Sequence, residues 1–346
     1  MPPIERNAYS DPLILEGEIG SLFSERMFAG TQFDFEDEGG YRSVEIGHTA
    51  VTVRRAGDGV RGFGNVCLHR NCLIDPPGYG KRAFRCRYHG WAYASDGTLA
   101  EAPLADDACI QTRTLPTYPV AESSGLNFLG LSGRSPEISE VADALKEAGI
   151  TLERPFYRDA LSHACNWKLL VENVLEGYHL SFVHGQTFRP AGFTSAGAYT
   201  WGGGNYTSWN LLKPAPSHDK QSAMRRLSPG AGHYYRHVYV FPDLFLSNTN
   251  GLVGFLSHVV PTSASTTRLE WLLFELPALK LLPIALRTQI KAEAIRFTLD
   301  ALKEDQVLVE SCHTGMTCGG TIVQLQPCEG RIAHFHALYT DRMRHV

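Results

Sequence analysis

From Val44 onward, apolar and polar positions alternate with a period of two: Val44 and Ile46, then Val51 and Val53. Gly57-Asp58-Gly59 precedes a further strand pattern at Val60, and Ser95-Asp96-Gly97 follows Trp91–Tyr93. Alternation punctuated by glycine turns is the mark of half-buried strands, so residues 41–133 are predicted to form a small antiparallel β domain. The first forty residues combine an apolar pattern (Ile14, Ile19, Leu22, Phe23) with an acidic run from Asp34 to Glu38 and predict one helix and one strand. After Ser135-Pro136 the period lengthens. Two long helices are predicted, at about Asn166–Val183 and Ile284–Glu310, with strand-like segments such as His237–Phe241 and Arg268–Leu276 between them. Residues 134–346 therefore read as a second domain of mixed character, and the fold class is α+β.

Composition narrows the functional classes. A chain of 346 residues favours two domains, and 43% hydrophobic against 20% charged residues describes an ordinary globular protein. With 32 basic and 36 acidic residues the net charge is −4, which gives no electrostatic reason to expect nucleic acid or an anionic membrane. The most apolar late stretch, Leu276–Leu286, is broken by Pro277, Lys280 and Pro283, and the N-terminus has no basic-then-apolar leader pattern. A cytoplasmic protein without a membrane partner is expected. In a reducing compartment, 8 Cys and 14 His point toward metal or catalysis before disulfides.

Two groups of these residues have ligand spacing. Cys67-Leu68-His69 and Cys86-Arg87-Tyr88-His89 each place a thiol and an imidazole on one short loop. Tetrahedral zinc and a [2Fe–2S] cluster with two thiolates on one iron and two imidazoles on the other both suit such a set. Mixed ligand types within each loop favour the cluster, because zinc modules more often pair like with like. Further on, Glu172, Glu176 and His179 fall at i, i+4 and i+7 of the first predicted helix, with His184 five residues beyond. Inward-facing titratable groups are costly unless they bind something. Two histidines and one distant carboxylate make the facial triad of non-haem Fe(II). On the second helix Ile295, Leu299, Leu302 and Val309 form an apolar stripe that turns Asp305 inward, with Glu304 and Asp300 as rivals.

Cys-x-His-Arg followed by Cys-x-Tyr-His-Gly-Trp resembles the Rieske domain of ring-hydroxylating oxygenase α subunits. The run Asn166-Trp167-Lys168, Glu172-Asn173, Glu176-x-x-His179-x4-His184 resembles the catalytic domain of the same family. The resemblance implies an N-terminal antiparallel Rieske domain and a catalytic domain with an antiparallel sheet and iron-carrying helices. Residues 1–40 would pack on the catalytic domain, and a strand at Arg331–Tyr339 would close it. It implies that Cys67, His69, Cys86 and His89 hold the [2Fe–2S] cluster, and that His179, His184 and Asp305 hold mononuclear Fe(II). Glu176 would carry electrons between an iron-ligating and a Rieske-ligating histidine, with Asn173 beside the iron.

The implied activity is that of a terminal oxygenase. It would use O2, with NAD(P)H serving indirectly through a separate reductase or ferredoxin, to hydroxylate or demethylate a small organic substrate, and it would assemble as a homotrimer. A cis-dihydroxylating dioxygenase is the alternative within the class. An electron carrier or redox sensor, or a zinc-stapled protein with a hydrolytic zinc, are the alternatives outside it. Two positions depart from the family pattern. Asn71 replaces a glycine, a position where left-handed backbone is tolerable for Asn. Cys72 faces Tyr88 in place of a disulfide partner and is expected to be a small packing residue, as are Cys109, Cys165, Cys312, Cys318 and Cys328. Phe188, Phe193, Tyr199, Trp201, Tyr206 and Trp209 are candidates for lining a substrate channel.

Overall fold

A computed structural model describes residues 4–105, 113–190, 198–201, 207–212, 234–320 and 324–344, with backbone only for 198–201 and 207–212. The chain divides into two compact units, Glu18–Ser139 and a second built from Met1–Gly17 with Glu140–Val346. Among the described residues no helix is long and apolar enough to cross a membrane.

In the first unit the alternating pattern becomes a five-stranded antiparallel sheet in the order Gly78–Lys81, Gly40–Ile46, Thr49–Ala56, Gly59–Gly64, Thr117–Tyr118. A three-stranded sheet accompanies it, with Met27–Thr31 paired to Leu126–Leu129 and that strand paired to Val120–Ser123. The first forty residues do not act as one segment on the catalytic domain. Met27–Thr31 takes its backbone hydrogen bonds from Leu126–Leu129 and so belongs to the β unit, whereas Arg6–Tyr9 belongs to the other.

The second unit is organised on a seven-stranded antiparallel sheet in the order Pro155–His163, Thr266–Glu275, Val253–Ser263, Leu244–Thr249, Tyr235–Val240, Thr207–Leu212, Ala198–Trp201. The 34-residue helix Ile284–Thr317 lays Ile295, Leu299 and Leu302 on a core of Leu252, Trp271, Leu273 and Leu279. The expected strand at Arg331–Tyr339 is instead part of the helix Gly330–Met343. Its buried residues Arg331, Ile332, Phe335, His336 and Tyr339 recur at one helical face, a period of 3.6 rather than 2.

The predicted helix Asn166–Val183 is two helices, Trp167–Leu175 and Leu180–Val183. Asn166 caps the first, accepting from the Lys168 backbone N–H at 3.1 Å. Glu176 ends it in an extended conformation, and its carboxylate takes the backbone N–H groups of Tyr178 and His179. A side chain that satisfies those donors removes the need for a continuing helix. Glu172 therefore does not share a metal-facing stripe with Glu176. It accepts from Tyr9 Oη at 2.5 Å and from His336 Nε2 at 2.9 Å, tying the N-terminal segment to the C-terminal helix.

Candidate functional site: two metal centres

The β unit presents two loops of the same design. Cys67 N–H donates to the Cys72 carbonyl and Asn71 N–H to the Cys67 carbonyl; Cys86 N–H donates to the Trp91 carbonyl and Gly90 N–H to the Cys86 carbonyl. Asn71 and Gly90 are thus equivalent, and both are left-handed, with φ of +56° and +75°. The departure at Asn71 leaves the turn intact because Asn is among the few side chains that tolerate this region.

The loops bury the cysteines and expose the histidines. Cys67 and Cys86 are 1% and 3% accessible, within a core that includes Phe63, Trp91 and Tyr93. The rings of His69 and His89 stand at the surface with centroids 4.5 Å apart, and His69 stacks on Trp91 at 4.7 Å. Burial pushes the Cys67 thiol pKa up, though Tyr93 Oη donates to its sulfur at 3.2 Å. The Tyr88 backbone N–H reaches Cys86 Sγ at 3.5 Å. Two inward sulfurs with donors aimed at them, and two outward imidazoles side by side, fit a cluster with thiolates on one iron and imidazoles on the other. Cys72 is half-buried against the same core. Cys165 is buried, whereas Cys312, Cys318 and Cys328 are exposed thiols rather than packing residues; Cys109 lies outside the described residues.

Beneath the loops sits Asp75, fully buried. Its carboxylate pairs with the equally buried Arg54, with Arg82 at 3.0 Å and with Thr52 Oγ1 at 2.7 Å, while its backbone is held by Asn65. Sequence reasoning missed this anchor, since Ile74-Asp75-Pro76 reads as an ordinary turn. Removing one partner strands the buried cations, so Asp75→Ala is expected to cost about 3–5 kcal/mol. Thermal melting with visible absorbance should show the fold and the cluster colour lost together.

The second centre lies on the catalytic unit. His179 and His184 flank the short helix Leu180–Val183, and Asp305 comes from the long helix. One ligand atom from each lies within 4.8 Å of the others. His184 Nε2 is 3.3 Å from His179 Nε2 and 3.2 Å from Asp305 Oδ1, which is 3.5 Å from His179 Nε2. The remaining ring nitrogens are committed elsewhere. His179 Nδ1 bonds the Glu176 carboxylate and His184 Nδ1 bonds Glu304 at 2.8 Å. A carboxylate can only accept, so each Nδ1 carries a proton and each Nε2 faces Asp305, where it gives a lone pair to a metal only when its own proton has left. Two imidazole Nε2 atoms and a buried carboxylate oxygen without a hydrogen-bond partner among the described residues, converging on one point, suit a metal ion.

The electrostatics agree. Burial opposes protonation of His179, but Asp305 and Glu176 outweigh it and push the ring up to about 9. Burial likewise raises Asp305, yet His179 and His184 hold it down to about 2. The pocket is built for positive charge, which a divalent ion would supply in place of the ring protons.

The rival Glu304 therefore has a different place from Asp305. It orients His184, and it also accepts from Thr187 Oγ1 at 2.5 Å and from the Gln186 backbone N–H at 3.1 Å. Glu304→Ala should loosen iron binding by about 10–100-fold without abolishing it, a result that titration of iron into the apo-centre would read. Asp300 lines the adjoining cavity but is not in the triad.

That cavity has a volume of about 600 Å³ and is bounded by Asn173, Phe188, Leu269, Phe297 and Leu302 as well as the triad. Phe188 packs on the His184 ring at 4.9 Å and on Phe297 at 5.0 Å. Phe193 and Tyr206 lie outside the described residues, as do the side chains of Tyr199, Trp201 and Trp209.

Residues 26–119 match the family model for the Rieske [2Fe–2S] domain, and residues 151–345 match that for the ring hydroxylating alpha subunit, catalytic domain. The oxygenase subunit of glycine betaine monooxygenase from Chromohalobacter salexigens is 30% identical over 51% of this chain and 42% of its own length. Chloroplastic choline monooxygenase from Beta vulgaris is 25% identical over 95% of this chain and 74% of its own. The alignments to the first of these curated relatives span less than half of their length. The fold is shared with a crystal structure of a quaternary ammonium Rieske monooxygenase in complex with L-carnitine, at a TM-score of 0.78 and 21% identity over 99% of this chain and 96% of that one. Naphthalene 1,2-dioxygenase from Rhodococcus has the same fold, at a TM-score of 0.75 and 20% identity over 99% and 94%.

Proposed function

Since the chain belongs to the family of ring-hydroxylating α subunits of Rieske oxygenases, we propose that it is the terminal oxygenase of a multicomponent system, hydroxylating or oxidatively demethylating a small organic substrate. One observation carries this reading: the triad of His179, His184 and Asp305 opens on a largely apolar chamber in the same unit. A pure electron carrier has no use for either. Iron bound there supplies dioxygen activation, drawing on electrons that a separate reductase or ferredoxin delivers to the Rieske cluster.

The protein's own part is preorganisation. Glu176 and Glu304 hold the two Nδ1 protons and so keep both Nε2 lone pairs inward. Leu269, Phe188 and Phe297 give the reacting space an apolar wall. Asn173 stands on the chamber wall beside the triad. Monooxygenation is favoured over cis-dihydroxylation by the relative aligned along 95% of the chain, which bears a monooxygenase name. Cys67, His69, Cys86 and His89 hold the cluster in this reading, and Glu176 relays electrons toward the iron. The proposal extends to a cytoplasmic homotrimer, which sedimentation would test by mass.

The deciding experiment measures iron and acid-labile sulfide in purified protein, then substrate-dependent O2 uptake and product formation with a surrogate reductase. About three iron and two sulfide per chain are expected. Zinc without sulfide would end the reading.

A further inference from the structure

Glu304, which orients His184, receives three donors from one short segment. The His184 ring gives its Nδ1 proton to Oε2 at 2.8 Å, the Gln186 backbone N–H reaches Oε1 at 3.1 Å, and the Thr187 hydroxyl reaches Oε2 at 2.5 Å. Thr187 is 4% accessible, and among the described residues the only other polar atom its hydroxyl meets is His184 Nδ1, at 3.3 Å. That nitrogen already carries a proton, so the hydroxyl cannot donate to it and gives its own proton to the carboxylate. A valine would fill the same space, so what threonine adds here is the donor.

The supports of the two histidines are built differently. Glu176 is held by backbone N–H groups of its own segment, those of Tyr178 and His179. Glu304 comes from the long helix and has to be fastened across to the segment that carries His184. Its side chain is 19% exposed, so water competes for the carboxylate wherever a protein donor is lost. We propose that Thr187 is a positioning residue of the mononuclear centre: its hydroxyl holds the Glu304 carboxylate on His184 Nδ1 and thereby fixes the plane in which His184 presents Nε2 to a metal ion. Thr187 acts through Glu304 and touches none of the three ligand atoms of the triad.

The inference rests on the triad holding a metal ion and is tested by metal binding, not turnover. The full protein, its mononuclear site cleared by a chelator and its Rieske cluster intact, is titrated with Co(II), whose hyperfine-shifted proton spectrum reads each ligating ring separately. Two solvent-exchangeable N–H resonances should appear on loading, one from each Nδ1, and the one missing from Glu304→Ala belongs to His184. In Thr187→Val that resonance should exchange with water about tenfold or more faster while the His179 resonance is unchanged, and Co(II) affinity should fall about tenfold. Thr187→Ser, which keeps the hydroxyl, should return both readings to within about twofold of the unsubstituted protein. A Thr187→Val protein with unchanged affinity and exchange overturns the proposal, as does a Ser variant no better than Val, or equal acceleration of both resonances, which marks a general loosening. A His184 N–H that already exchanges as fast as a free imidazole in the unsubstituted protein overturns it even if no variant folds. Co(II) bound normally with no effect of Thr187 leaves the oxygenase reading standing, whereas no Co(II) binding by the unsubstituted protein overturns the metal centre and this role together.

Discussion

Asp305→Ala is expected to release the mononuclear iron while the Rieske cluster keeps its colour, its iron falling from about three to about two atoms per chain. Asp305 is the anionic member of the triad, and among the described residues its Oδ1 has no other hydrogen-bond partner to account for its burial. Without it, two neutral imidazoles 3.3 Å apart are left to hold a divalent ion alone. Affinity should fall beyond the ~100-fold typical of losing an outer partner, and substrate-dependent O2 uptake should fall to background. Retained iron with unchanged uptake would remove Asp305 from the site, and the same loss from Glu304→Ala would move the role one residue back.

Glu176→Gln should be nearly as damaging to turnover, by about 100-fold, with a smaller effect on the metal, about 10-fold. The carboxylate uses both oxygens at once, one for the His179 ring and the other for the backbone of Tyr178 and His179. An amide has a single acceptor oxygen and presents N–H groups where donors already point. The His179 ring then loses its fixed tautomer, and the electron relay proposed for this residue loses its charge. Stopped-flow reduction of the cluster should remain normal while coupled product formation collapses. Undiminished coupled turnover would dismiss the relay.

Much of this site was legible in the sequence because metal chemistry restricts residue type and short-range spacing. Cys67, His69, Cys86, His89, His179 and His184 lie on short loops or turns, and Asp305 follows from an apolar stripe. What the sequence concealed were interactions made over long distances. The helix break at Glu176 depends on a carboxylate capturing the backbone N–H groups just after it, a competition that periodicity cannot register. Glu304 could be seen as a rival but not as the partner of His184 Nδ1, because a helical stripe does not show that two adjacent carboxylates can reach one ring. Each reaches a different nitrogen of the same ring. The strand at Arg331–Tyr339 came from the family resemblance alone, whereas the segment's own burial recurs along one face of the helix Gly330–Met343. Thr187 gave no local signal at all, since the carboxylate that its hydroxyl holds, Glu304, lies 117 positions away.

The long helix Ile284–Thr317 also bears on how such an enzyme can diversify. It lines the chamber from Leu286 to Asp305, a rise of roughly 28 Å at 1.5 Å per residue. Mutations accumulating in its early turns, at Gln289 or Ala294, would reshape the distant end of the chamber while the iron-bearing turn keeps its place. A lineage can thus drift toward new substrates by small steps on a rigid rod, without passing through variants that have lost the metal.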